Sequence, residues 1–149
     1  MDATTTLVDT ARIAAAPPPP DPAALERRAR LWFAAVERRA FGDLVELVHP
    51  DMRLVSRIQP GLVVEGRADV VRFIEEKVSD RLYEAVADVY TPIDDQRIAV
   101  EGRMRWIDDD RVIRDDPVVW AMEFRDGLLL RFIPARTLHE AESLLLTDR

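Results

Sequence analysis

The chain has 149 residues, 48% hydrophobic and 33% charged, the size and composition of one globular domain with its own core. It contains no cysteine, which excludes disulfide scaffolds, thiolate metal sites and cysteine nucleophiles. Its formal net charge of −7 argues against a nucleic-acid partner, because phosphate backbones are held by clustered cations.

Residues 1–22 read as a proline-rich arm outside the domain, with the domain spanning 23–149. Pro17 to Pro20 fix φ and remove four amide donors, so the expectation for this stretch is extended polyproline II. Asp21-Pro22 is an N-cap followed by proline in the first helical turn. Leu25, Ala29, Trp32, Phe33, Val36 and Ala40 then recur at helical spacing, which predicts a first helix ending near Phe41-Gly42. Arg27, Arg28, Arg30, Arg38 and Arg39 cluster along it and read as a solvated face. A short second helix through Leu44, Val45, Leu47 and Val48 stops at His49-Pro50, since the residue before proline resists the α region.

Met52, Leu54, Ser56 and Ile58 alternate with Arg53, Val55 and Arg57, which predicts a strand. Pro60-Gly61 turns the chain into a short strand at 62–64, and a third helix runs from Ala68 to Val78. Four strands follow near 83–93, 97–107, 112–124 and 128–136, and Glu140 to Leu146 closes the chain as a helix. Helices first and a meander after give an α+β order. No apolar run approaches the ~20 residues of a membrane span. Met1-Asp2-Ala3-Thr4 is not the start of a secretory signal, so the expectation is a cytoplasmic protein with no membrane partner.

Register decides which side chains face the helices. Val118, Trp120, Met122 and Phe124 alternate with Val119, Ala121 and Glu123, and Met104 and Trp106 with Arg103 and Arg105. A three-residue loop, Arg125-Asp126-Gly127, would pair Phe124 with Leu128, Met122 with Leu130 and Trp120 with Phe132, gathering the bulky apolar residues on one face. Glu123 would then meet Leu129, and Ala121 would meet Arg131. Glu101, Arg103, Arg105 and Glu123 have outward parity unless a bulge turns them in. The outer face, with Ala99, Val119, Ala121 and Ile133 among charges, is either solvated or the interface of a homodimer.

The inner face suits a pocket for a flat apolar molecule. Its expected lining is Trp32 and Val36 from the first helix, Ser56 and Ile58 from the first strand, and Phe73 from the third helix. Met104, Trp106, Trp120 and Met122 complete it from the sheet. Candidate acid-base or nucleophilic groups are Ser56, Asp116 at the pocket mouth and Glu123, each also readable as structural. Asp108-Asp109-Asp110 lacks the ligand spacing and glycine of a calcium loop, and His49 and His139 lie far apart, so no metal is expected. Five scattered glycines make no phosphate loop, and no cofactor is expected.

Helix, Phe41-Gly42-Asp43-Leu44, helix, His49-Pro50-Asp51-Met52, strand, Val64-Glu65-Gly66-Arg67, helix, then a meander with Phe124-Arg125-Asp126-Gly127: this layout resembles the nuclear transport factor 2-like superfamily. The likeness is greatest to its SnoaL-like and ketosteroid-isomerase-like members and covers about residues 23–146. The resemblance implies a cone-shaped, curved antiparallel sheet wrapped around three N-terminal helices, often dimeric, with a pocket between sheet and helices. Carried over by motif, the isomerase tyrosine falls on Ala35, the catalytic aspartate on Ser56 and the pocket acid on Trp120. Proton abstraction beside a carbonyl needs a base and an oxyanion donor, and these replacements supply neither by the usual route. The first reading is therefore a domain that binds a small apolar or aromatic molecule. The alternatives are a SnoaL-like isomerase, cyclase or hydrolase with non-standard residues, or a protein-interaction module using the outer sheet face.

Overall fold

A computed structural model describes residues 21–80 and 83–147. All of the expected arm except Asp21 and Pro22 lies outside the described residues. Helix α1 (Pro22–Glu37) is capped by Asp21, whose carboxylate accepts the Ala23 amide at 3.1 Å. Its apolar stripe, Leu25, Ala29, Trp32, Phe33 and Val36, is buried. The helix ends some four residues before the expected Phe41-Gly42. Arg39 turns left-handed (φ 56°), and the Ala40 amide bonds back to the Ala35 carbonyl at 2.9 Å. Gly42 instead lies inside α2 (Phe41–Leu47).

Strand β1 (Val48–Val55) begins four residues before the expected Met52, with Pro50 inside it. Proline is tolerated there because the ladder to the neighbouring strand is interrupted between Val48 and Arg53. Then come β2 (Val63–Glu65), α3 (Arg67–Asp80), β3 (Tyr83–Pro92), β4 (Arg97–Ile107), β5 (Ile113–Arg125), β6 (Leu128–Ala135) and α4 (Leu138–Thr147). One six-stranded curved sheet results, in the order β2-β1-β6-β5-β4-β3. Every pairing is antiparallel except β1 with β6, which is parallel. The expected α+β class and cone architecture hold.

The β5–β6 hairpin corrects the sequence-based register. The loop has two residues, not three: Asp126 (φ 55°) and Gly127 (φ 77°) are both left-handed, as a type I′ turn requires, and Arg125 pairs with Leu128. Phe124 pairs with Leu129, then the register shifts so that Glu123 faces Arg131 and Met122 faces Phe132. Trp120 accordingly faces Pro134 and Ala121 faces Ile133. A bulge at Leu130 does what the longer loop was expected to do, keeping apolar residues on one side. Because the extra residue sits in β6, the parity of β5 is untouched.

Two cores lie on opposite sides of the sheet. The larger packs α1, α2 and α3 on the inner face against Ile98, Val100, Met104, Val118, Trp120 and Met122. The smaller packs α4 through Ala141 and Leu145 on the outer face against Ala99, Val119, Ala121, Ile133 and Ala135. That outer face is therefore neither bare to solvent nor wholly open to a second subunit. Beneath α4, Arg131 Nε donates to Glu123 Oε1 at 2.6 Å, and a terminal nitrogen of Arg131 donates to the Leu145 carbonyl at 2.9 Å. Arg97 reaches the other Glu123 oxygen at 3.3 Å and Asp94 at 2.7 Å.

Candidate functional site

The inner face and the helices leave a cleft with about 50 Å³ of free volume, inside an envelope of about 590 Å³ that includes open solvent. Aromatic side chains reduce it to a narrow slot. Helical spacing on α1 brings Trp32 and Phe33 to the sheet, where strand alternation presents Trp120 and Phe132. Phe33 lies 4.8 Å from Trp120, Trp32 lies 5.4 Å from Phe132, and Trp120 stacks on Phe132 at 6.3 Å (ring centroids). These tilted and offset contacts are the favoured aromatic geometries, so the rings form one rigid wall. Leu54, Ser56 and Ile58 from β1 and the segment after it, and Phe73, Ile74 and Lys77 from α3, make the opposite side.

Of the residues expected at the pocket, Trp32, Val36, Ser56, Ile58, Phe73, Met104 and Trp120 line this cleft together. Trp106 and Met122 do not reach it and are packed in the larger core. Two of the three positions carried over from the isomerases, Ser56 and Trp120, are on the wall, whereas Ala35 is buried away from it.

The acid-base candidates are not assembled. The Ser56 hydroxyl accepts the Gln59 amide at 2.9 Å, which ties off the turn after β1, and no carboxylate or imidazole stands beside it in the lining. Asp116 is half-exposed outside the lining and lies 3.8 Å from Arg57. Glu123 is buried on the far side of the sheet in the arginine network under α4. Arg103 and Arg105 bond Asp115 on that same outer side. Among the described residues, no aspartate, glutamate or histidine lines the cleft.

Tyr83 was not singled out from the sequence. It starts β3 opposite Trp106 and lines the cleft, and burial pushes its phenol up to about 12. At neutral pH it is an uncharged hydroxyl, able to donate a hydrogen bond and unable to act as a base. Its signal was available: pairing 83–93 antiparallel with 97–107 puts Tyr83, Ala85 and Ala87 on the side of Met104. The remaining polar lining, Arg57 and Lys77, is cationic.

The family model described as the SnoaL-like domain matches residues 29–132, more than half of the chain. No curated protein sequence matches. Among solved structures, similarity is found to RV0760c from Mycobacterium tuberculosis in complex with estradiol-17β-hemisuccinate (13% identity, TM-score 0.66, covering 78% of this chain and 95% of that one). It is found also to Delta 5-3-ketosteroid isomerase from a Mycobacterium species (12%, 0.64, 78% and 95%). A computationally designed 17-OHP binder is similar to the same degree (13%, 0.65, 78% and 92%). At these identities the likeness shows a shared fold.

Proposed function

The chain belongs to the SnoaL-like domain family, and from that premise we propose that it binds a small, flat, apolar or aromatic molecule in the cleft. The observation that carries the proposal is the wall of four rings, Trp32, Phe33, Trp120 and Phe132, in a lining that holds no aspartate, glutamate or histidine among the described residues. Such a surface gains from burying a planar hydrocarbon face and offers no base for proton abstraction. The hydroxyls of Ser56 and Tyr83 orient a ligand carbonyl or hydroxyl. Structural relatives with the same cone carry estradiol-17β-hemisuccinate or are described as binding 17-OHP, which supports an apolar ring system as the ligand class. A homodimer, if formed through the outer face, has β3 and the far ends of β4 and β5 to use, where Val86, Val89 and Ile113 are exposed.

A thermal-shift screen against steroids and planar aromatic compounds, run beside Trp120→Ala, tests this reading. Saturating ligand at about 100 times Kd adds about 2.7 kcal/mol to wild-type stability, and Trp120→Ala loses most of that gain. No stabilisation by any compound, or equal stabilisation of both proteins, contradicts the proposal.

A further inference from the structure

The charges around the cleft run against the balance of the whole chain. The protein carries a formal net charge of −7, yet the ionisable side chains lining this cavity include two cations, Arg57 and Lys77, and no carboxylate among the described residues. Arg57 comes from the turn after β1 and Lys77 from the last turns of α3, so separate elements bring them to one cavity. Arg57 is incompletely used. Its Nε is buried without a hydrogen-bond partner, and its ion pair with the half-exposed Asp116 is long, at 3.8 Å. Arg97 Nε and one terminal nitrogen of Arg131 under α4 are likewise buried without a partner, but of these three arginines Arg57 alone lines the cleft. Lys77 Nζ lies 5.6 Å from the centre of the Phe73 ring, and no carboxylate pairs with it among the described side chains.

We infer that the occupant of this cleft is an amphipathic anion. Its flat apolar body lies on the aromatic wall, and its carboxylate, or an anionic oxygen group of similar shape, meets Arg57 and Lys77. This inference rests on the ligand-binding reading above and adds the charge of the ligand to it. The guanidinium offers a planar fork matched to a carboxylate, and the ammonium adds a second positive charge. Apolar walls on the cavity side lower the local dielectric, so a ligand anion gains more there than the solvated Asp116 does. The neutral hydroxyls of Ser56 and Tyr83 leave the charge balance unchanged.

The test uses 2-naphthoate and its uncharged isostere 2-naphthamide, titrated against tryptophan fluorescence at low and high salt. Wild type should bind the naphthoate about tenfold more tightly, a difference of about 1.4 kcal/mol, and high salt should narrow the gap. Arg57→Met and Lys77→Met should each bring the ratio of affinities towards one, and Arg57→Lys should retain part of it. Equal binding of both probes by wild type overturns the charge assignment and leaves the apolar-ligand reading standing. A preference that neither methionine variant moves also overturns it. Binding of neither probe overturns both.

Discussion

Gly102→Ala tests how the aromatic wall is made. Gly102 sits mid-strand in β4, opposite Ala87 of β3 and Val118 of β5. A β-carbon there would run well inside van der Waals contact of the Val86 carbonyl oxygen and reach Trp120 Cζ3 at 3.0 Å. The carbonyl is backbone and cannot rotate aside. Either β3 shifts at its bulge between Ala87 and Val89, or the ring of Trp120 leaves its place. Overpacking of this kind costs about 1–3 kcal/mol, and one or two disturbed ladder hydrogen bonds add about 1 kcal/mol each. The expected loss is about 2–5 kcal/mol, or a fall in Tm on the order of 5–20 °C for a domain of this size. Urea unfolding followed by tryptophan fluorescence measures it, with Gly42→Ala as the control. Gly42 lies in α2 with open space where its β-carbon would be, so alanine should be neutral or stabilising by up to about 1 kcal/mol. A loss below about 1 kcal/mol for Gly102→Ala, at unchanged m-value, would falsify the argument.

Two further outcomes follow from the buried polar groups. Tyr83 ionises near 10 in the unfolded chain and at about 12 when folded, so its contribution is intact below pH 10 and is lost as pH rises towards 12. Absorbance titration of tyrosinate should show this late step disappear in Tyr83→Phe, and the variant should lose less stability between about pH 10 and 12; an unchanged titration refutes the burial argument. Under α4, Arg131→Met leaves buried Glu123 with Arg97 alone at 3.3 Å, at a cost of about 3 kcal/mol, whereas Glu123→Leu combined with Arg131→Met recovers much of it. Urea melts of the single and double variants decide this, and equal losses in the two refute the coupling.

Element order and fold class were legible because apolar periodicity is strong: period 3.6 through Trp32 and Val36, period 2 through Trp120 and Met122. Boundaries were less so. The end of α1 depends on Arg39 adopting a left-handed conformation, which no residue preference announces, while the nearby glycine at 42 offered a false stop. The hairpin shows a deeper limit. Two-residue and three-residue loops each gather the apolar residues on one face, provided the shorter loop carries a bulge, and alternation alone cannot separate them. At the site, the parity of β5 fixed Trp120 and excluded Glu123 from the inner face, and the same logic left Trp106 and Met122 undistinguished from the lining. Facing inward is a property of the strand; bordering empty space depends on where helices α1 and α3 stop short, which pattern does not encode.

Strand β5 is a party wall. Trp120 borders the cleft, while Val119 and Ala121, its neighbours in the chain, are packed under α4 and Glu123 is tied to Arg131. Side chains that alternate on one backbone cannot be displaced independently, so helix α4 and the cleft are mechanical neighbours although they occupy opposite sides of the sheet. A deletion within α4, or a bulky group attached beside it, is accordingly not innocent in a binding assay on the cleft.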